Sequence, residues 1–344
     1  TDDTIEASTF TNISNVETLT SASAQHIVAT LGSAASTAGI ATVTLADTGG
    51  NDSVTVDATF SGALTVNAIT AGVSTVDLSS ATNTTTIKAS EAVMDNSVHV
   101  FTGGTSGTEI VEIVGAGGDS TLDATQLGSL ADIDTIKVTD GDATASHDIS
   151  LTLADANATY TSASTYHTLT IDASAFTGSV ANTLTLIASN EDDAKLIVTG
   201  GAGADSITAS TSANFGDSIS GGDGADTFTI ATASFTSLDT IAGGDGDDIL
   251  VLSNDATIVD ADFTNVTSIK TLKTGTNIDF AQLTLGTNAS ASGISVIDGS
   301  THNGVMTVDG EAGFSTALQI DLDTALTKND DVDMSLSSGA ITVT

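Results

Sequence analysis

Three glycine-rich nonapeptides constrain the fold of this chain more than any other feature. They read Gly200-Gly201-Ala202-Gly203-Ala204-Asp205-Ser206-Ile207-Thr208, Gly221-Gly222-Asp223-Gly224-Ala225-Asp226-Thr227-Phe228-Thr229 and Gly243-Gly244-Asp245-Gly246-Asp247-Asp248-Ile249-Leu250-Val251. Each fits the pattern Gly-Gly-x-Gly-x-Asp-x-apolar-x. The copies start 21 and 22 residues apart, and between them lie half-copies that keep the Asp-x-apolar end, Asp217-Ser218-Ile219 and Asp239-Thr240-Ile241. One period therefore holds a full turn, a reduced turn and two short strands. A flexible glycine linker would not place an apolar residue two positions after every aspartate, whereas a coiled strand needs one there to face inward.

The composition of these turns points to calcium. That ion takes several oxygen ligands in flexible geometry. Glycines let the backbone reach positive φ and turn carbonyl oxygens inward, and the sixth-position aspartate supplies a carboxylate. If neighbouring turns share the ion, no coil completes its site alone, so folding and metal binding become one event. The candidate ligands are Gly201, Gly203, Asp205, Asp217, Gly222, Asp223, Gly224, Asp226, Asp239, Gly244, Asp245, Gly246, Asp247 and Asp248, holding several calcium ions. Two echoes, Gly49-Gly50-Asn51-Asp52-Ser53-Val54 and Gly115-Ala116-Gly117-Gly118-Asp119, keep glycine beside aspartate but break the register. Isolated calcium turns and plain tight turns both fit them.

Outside the block, apolar residues alternate with Thr, Ser or Asp, as in Val54–Val56, Leu64–Val66, Val73–Leu78, Leu169–Ile171 and Leu318–Leu322. β-branched threonine suits the exposed face of a strand, so these are short strands between Gly, Asn, Asp and Ser turns. A recurring apolar-Asp-x-Ser/Thr unit (Val56-Asp57-Ala58-Thr59, Val76-Asp77-Leu78-Ser79, Leu122-Asp123-Ala124-Thr125, Ile171-Asp172-Ala173-Ser174, Ile297-Asp298-Gly299-Ser300) reads as a strand end entering an Asx turn. A solvated turn cap suits these aspartates better than metal ligation. A longer repeat joins Phe10–Leu19 to Phe263–Leu272, with a degenerate copy at Leu130–Val138. Its apolar residues three apart (Phe10, Ile13, Val16, Leu19) are expected to point inward and stack. Units that bury their faces only against neighbours are the mark of solenoids.

Charge decides between partners. All 6 basic residues are lysines, against 44 acidic ones, for a formal charge of −38. Only seven acids are glutamate, and aspartate favours turns and oxygen-rich metal sites. No basic patch exists to neutralise phosphates, so nucleic acid is excluded as a partner. Divalent cations would relieve the self-repulsion; a generic salt-adapted acidic surface is the plainer reading of the same charge. Cysteine is absent, which excludes disulfides and thiolate sites. No run of apolar residues reaches the length of a membrane span, and no cleavable signal peptide is expected. The five histidines (His26, His99, His147, His167, His302) are scattered, without the spacing of a zinc helix or a nucleophile elbow.

The run Gly200–Ile207, its Ser/Thr/Ala/Asn insert and Gly221–Asp226, with Thr/Ala/Ser-rich strands ending as in Leu169-Thr170-Ile171-Asp172-Ala173-Ser174-Ala175-Phe176, resemble RTX-repeat surface-layer proteins of Gram-negative bacteria, of the Caulobacter type. The resemblance implies type I secretion, folding outside the cell, and self-assembly into a calcium-held lattice at the cell surface. It further implies ligands at Asp205, Asp226 and Asp248, with Asp223, Asp245 and nearby glycine carbonyls. The nonapeptides are shared with RTX proteases, toxins, adhesins and epimerases, so they specify calcium rather than the task.

The expectation is therefore an all-β chain, an elongated parallel β-solenoid with β-roll-like repeats. It comprises β-rich units over 1–190, a calcium-binding β-roll over 191–255 and further β-rich units over 256–344. The expected role is structural and non-enzymatic. The expected partner is the chain itself, with cell-surface polysaccharide reached through a part not present here. A stalk fragment of a calcium-dependent adhesin is the first rival. The RTX module of a secreted polysaccharide-modifying enzyme is the second, and the lack of Arg and Trp argues against it.

Overall fold

A computed structural model describes residues 3–344 except 23–24, 50, 70–71, 73, 96–98, 116–117, 142–147, 159–166, 178–181, 213, 255–256, 276–281, 302–304 and 323–329. His147, His302 and parts of both glycine echoes thus lie outside the described residues. The protein is an all-β parallel solenoid, and among the described residues its longest α-helix is the six-residue Ser33–Ala38. No described helix is long and apolar enough to cross a membrane.

The chain divides into two compact units, Thr1–Gly178 and Ser179–Thr344. In the first, two parallel sheets take strands alternately from the chain. One runs Asp3–Ile5, Ile27–Leu31, Asp52–Val56, Ser74–Asp77, Val100–Thr102 and Leu130–Ala131. The other runs Thr18–Thr20, Thr42–Leu45, Leu64–Ala68, Thr84–Ser90, Thr108–Gly115, Thr135–Asp140 and Thr168–Ala175. In the second unit, Lys195–Thr199, Ser218–Asp223, Thr240–Asp245 and Val266–Thr267 form one sheet. Leu184–Ile187, Ser206–Thr208, Thr227–Ile230, Ile249–Leu252, Thr271–Thr274, Val296–Asp298, Leu318–Asp321 and Ile341–Val343 form another. The Gly-Asp block passes into the later strands without a break, since Ile249–Leu252 pairs with Thr271–Thr274.

Period-two alternation produces this arrangement. In Leu64–Ala68, residues Leu64, Val66 and Ala68 are buried and the intervening ones are not. The same register stacks like on like: Thr42 lies beside Thr65, and Val43 beside Val66. On the outer face Glu112 sits in register between Lys88 and Lys137, and its carboxylate is 2.8 Å from Lys88 Nζ. Small apolar residues fill the thin core, with Phe60, Phe101 and Phe176 buried in the first unit and Phe228, Phe263 and Phe314 in the second.

The strand-end aspartates behave as turn caps. Asp57, Asp77, Asp172 and Asp298 each accept the N–H and the hydroxyl of the residue two ahead, Thr59, Ser79, Ser174 and Ser300. Asp123 instead caps the helix Ala124–Leu127 through the Thr125 and Gln126 N–H groups. The longer repeat divides. Phe263, Val266, Ile269 and Leu272 are all buried, as expected. Of the first copy only Phe10 is buried, while Ile13 and Val16 are each 38% exposed. Val266 is covered by its register partner Ile241, whereas no described strand pairs on the outer side of Thr18–Thr20. The two copies still share a backbone device: Asn15 and Ser268, at equivalent positions, have φ of 58° and 57°.

Candidate metal centre

Each coil of the Gly-Asp block holds two strands, one entered from a half-copy and one from a full copy. Asp217 opens into Ser218–Asp223, and that strand carries the Gly221-Gly222-Asp223 start of the next nonapeptide. Its neighbour Thr240–Asp245 is in register, pairing Gly222 with Gly244 and Asp223 with Asp245. The chain then turns at Gly224-Ala225 and Asp226 opens into Thr227–Ile230. The eighth-position residues Ile207, Phe228 and Leu250 are fully buried, so each turn is anchored by an inward side chain one residue beyond the strand entry.

Register turns the aspartates into two ladders. In the first, Oδ1 of Asp205, Asp226 and Asp248 accepts the N–H of Leu184, Asp205 and Asp226, each at 2.8 Å and one coil earlier. In the second, Oδ1 of Asp217 accepts the Leu196 N–H at 3.2 Å, and that of Asp239 the Asp217 N–H at 2.8 Å. All five aspartates are buried.

The other carboxylate oxygen separates these residues. Oδ2 of Asp217 accepts the Ser210 N–H, that of Asp239 the Thr236 N–H, and that of Asp205 the Gly201 N–H. These three are closed by their own turns. Oδ2 of Asp226 and of Asp248 is buried with no hydrogen-bond partner. A buried acceptor left unmade costs about 1–3 kcal/mol, and more when charged, so these two positions are built for something else.

The surroundings of those two oxygens are glycine. A Cβ on Gly221 would overlap Asp226 Oδ2, and one on Gly243 would overlap Asp248 Oδ2. Gly222 and Gly224 have φ of 110° and 120°, and Gly244 and Gly246 repeat this one coil on. Each lies directly against a carbonyl oxygen of the previous coil: Gly201, Gly203, Gly222 and Gly224 in turn. Asp223 and Asp245 are exposed at the rim. Gly201 and Gly203 are buried and are not among the positive-φ glycines, so the first copy, with Ala202 in place of aspartate, has a different turn. Asp247 is exposed and lies 2.5 Å from Lys270 Nζ, which already supplies it with a cation.

Burial raises all five carboxyls, whether or not the second oxygen is closed. Burial, reinforced by Asp205, Asp248 and Asp223 nearby, pushes the Asp226 carboxyl up to about 7 against its hydrogen bond from the Asp205 N–H. Burial likewise raises Asp205 and Asp217 to about 6, and raises Asp239 and Asp248. An all-oxygen set of carboxylates and glycine carbonyls, two of whose carboxylate oxygens are buried and unmatched, fits a calcium-type cation. Asp226 and Asp248 with the flanking glycine carbonyls would hold it. The ion would supply charge neutralisation and a tie between coils.

A class of residue outside the motif also emerges. An acidic residue at or just ahead of the start of a strand accepts the N–H of its register partner one coil back in Asp52 (to Ile27), Asp134 (to Glu109) and Asp330 (to Met306). Asp52 is further satisfied by the Ser21 hydroxyl at 2.9 Å, so both of its carboxylate oxygens accept hydrogen bonds. The available sequence signal was an acidic residue at or immediately before the start of an alternating strand. No family model, curated protein or solved structure matches the chain.

Proposed function

We propose that this is a calcium-binding structural protein of the extracellular surface, of the RTX surface-layer kind, whose copies assemble into a calcium-held lattice. The observation that carries the calcium part is the pair of buried, unmatched oxygens of Asp226 and Asp248 against Gly221 and Gly243, in turns whose positive-φ glycines line up carbonyl oxygens from coil to coil. An ion there would join consecutive coils and stiffen the solenoid. The lattice part rests on charge. Copies carrying −38 each repel one another at low salt, and an ion shared by carboxylates of two copies would reverse that. The acidic character of one described pocket bears on the rival reading of a polysaccharide-modifying enzyme. It measures about 340 Å³ and is lined by Glu91, Asp95 and Asp119, which would repel an acidic polysaccharide rather than hold it.

Electron microscopy of the purified chain in millimolar calcium, and again after chelation, tests this. Ordered sheets or tubes that dissolve on chelation are expected. Dispersed particles in calcium would overturn the lattice while leaving the ion, and would favour an adhesin stalk. Turnover of uronate polymers would overturn the structural role altogether.

A further inference from the structure

The core of the first unit contains an acidic residue that the solenoid does not need. Glu109 is an inward-facing residue of Thr108–Gly115, in register with buried Thr85 on the coil before. It is 0% exposed, and its carboxyl faces the Asp134 carboxyl and the Gly104 N–H without a well-formed hydrogen bond at either Oε1 or Oε2. The corresponding inward column holds leucine two coils earlier, at Leu64. A carboxylate here therefore breaks a pattern that apolar residues satisfy.

Its neighbours are oxygens. Asp134, on the next coil, accepts the Glu109 N–H at 2.8 Å through Oδ2. His167 Nε2 lies 3.0 Å from Asp134 Oδ1 and fixes that carboxylate from its other side. Gly107 has no Cβ, and the three atoms nearest to where one would stand are Glu109 Oε1 and the carbonyl oxygens of Asn83 and Ala81. Asp134 is 29% exposed, which gives an ion a way in from solvent. Burial and then the adjacent Asp134 push the Glu109 carboxyl up to about 7. Burial opposes the charge of Asp134 too, yet its hydrogen bonds from His167 and the Glu109 N–H hold it below the ordinary value. Asp134 thus stays an anion beside a second carboxyl on which burial favours a proton, with His167, raised by both carboxyls, on the far side of Asp134; a bound cation would take the place of that proton.

We propose that Glu109 and Asp134, with the carbonyl oxygens of Ala81 and Asn83, form a cation site of the calcium class in the first unit, separate from the Gly-Asp block. The donors are all oxygen, which selects a hard divalent cation over zinc or copper. His167 is a positioning residue that orients Asp134, as groups hydrogen-bonded to ligating carboxylates do. This site does not rest on the reading of the nonapeptides, because none of its residues belongs to them.

The test counts calcium bound to the full chain by equilibrium dialysis at neutral pH, for wild type, Glu109→Gln, Asp226→Asn/Asp248→Asn, and the three changes combined. Glu109→Gln should bind one ion fewer per chain than wild type, and the combined variant one fewer than Asp226→Asn/Asp248→Asn. Its calcium-free melting temperature should equal or exceed that of wild type, since an uncompensated charge is gone. Unchanged stoichiometry in Glu109→Gln overturns the site, whatever the nonapeptide variants do. Loss of the ion in Glu109→Gln with none lost in Asp226→Asn/Asp248→Asn would instead overturn the nonapeptide reading. Should Glu109→Gln fail to fold, crystals of wild type grown with terbium decide the matter. An anomalous peak between Glu109 and Asp134 is expected, and peaks elsewhere with none there overturn it.

Discussion

An aspartate at the edge of a strand does one of two things in this protein, and Asp77, which ends one strand, and Asp226, which leads into another, mark the difference. At Asp77, Oδ1 accepts both the N–H and the hydroxyl of Ser79, within the same turn. Asp77→Ala should therefore cost about 1 kcal/mol, the usual worth of such a cap, equally with and without calcium in chemical denaturation. Asp226 keeps one oxygen unmatched. For a single site with calcium a hundredfold above its dissociation constant, wild type gains about 2.7 kcal/mol. Asp226→Asn should lose that site's gain while matching or exceeding wild type in calcium-free buffer at neutral pH. Titration separates the two states further. The folded values of Asp205, Asp217 and Asp226 are raised to about 6, 6 and 7, chiefly by burial, so the folded form holds these protons more tightly than the unfolded chain. Their contribution is complete below the unfolded value of about 4 and is lost as pH rises through about 6 to 7. Calcium-free protein should accordingly melt lower at about pH 7.5 than at about pH 4.5, with calcium restoring stability only at the higher pH. A melting temperature that rises with pH in chelator would contradict this.

At the scale of the strand and turn, what the sequence disclosed was whatever repeats locally. Alternation at Leu64–Ala68, the Asx turns at Asp57 and Asp172, and two strands per nonapeptide period are properties of a few consecutive residues, and each is found as read. The ladders were not legible. They depend on which residue lies one coil away, 21 to 25 positions distant, and no local pattern states that offset. The first copy did differ locally, with Ala202 where the others carry Asp223 and Asp245, but that this goes with an Asp205 closed by the Gly201 N–H was not legible, and nothing singled out Glu109. Ile13 and Val16 failed to bury because stacking needs a neighbour as well as a pattern. The turn and the inward anchor of one coil make separable predictions. Phe228→Ala empties a fully buried site and should cost about 3–5 kcal/mol. Gly224→Ala must hold a side chain at φ of 120° against the Gly203 carbonyl, and should cost more than about 1 kcal/mol while also weakening calcium binding. If Gly224→Ala were neutral in both respects, the carbonyl-lined turn would not be part of the metal site described above.

For the molecule as a whole, sequence and fold pull against each other. Parallel coils bury small apolar residues in thin layers and stack acidic side chains such as Asp205, Asp226 and Asp248 coil on coil, in a sequence with 44 acidic residues against six lysines. Ion pairs such as Lys88 with Glu112 and Lys273 with Asp298 are local and partly open to solvent, and exposed pairs contribute about 1 kcal/mol or less. Two remedies remain, and they differ in their dependence on the ion used. Screening acts on every exposed charge and needs only ionic strength, since the Debye length falls from about 30 Å at 0.01 M to about 10 Å at 0.1 M. Site binding needs a cation that accepts many oxygens at flexible geometry, which calcium does and magnesium resists. In chelator, the melting temperature should therefore rise as sodium chloride is raised across that range, because long-range repulsion is relieved. At fixed ionic strength, calcium should add a further rise that magnesium does not match, and Asp226→Asn/Asp248→Asn should lose most of the calcium-specific part while keeping the salt response. Equal responses to calcium and magnesium would make the acidity a matter of screening alone, and would leave the unmatched oxygens of Asp226 and Asp248 without their ion.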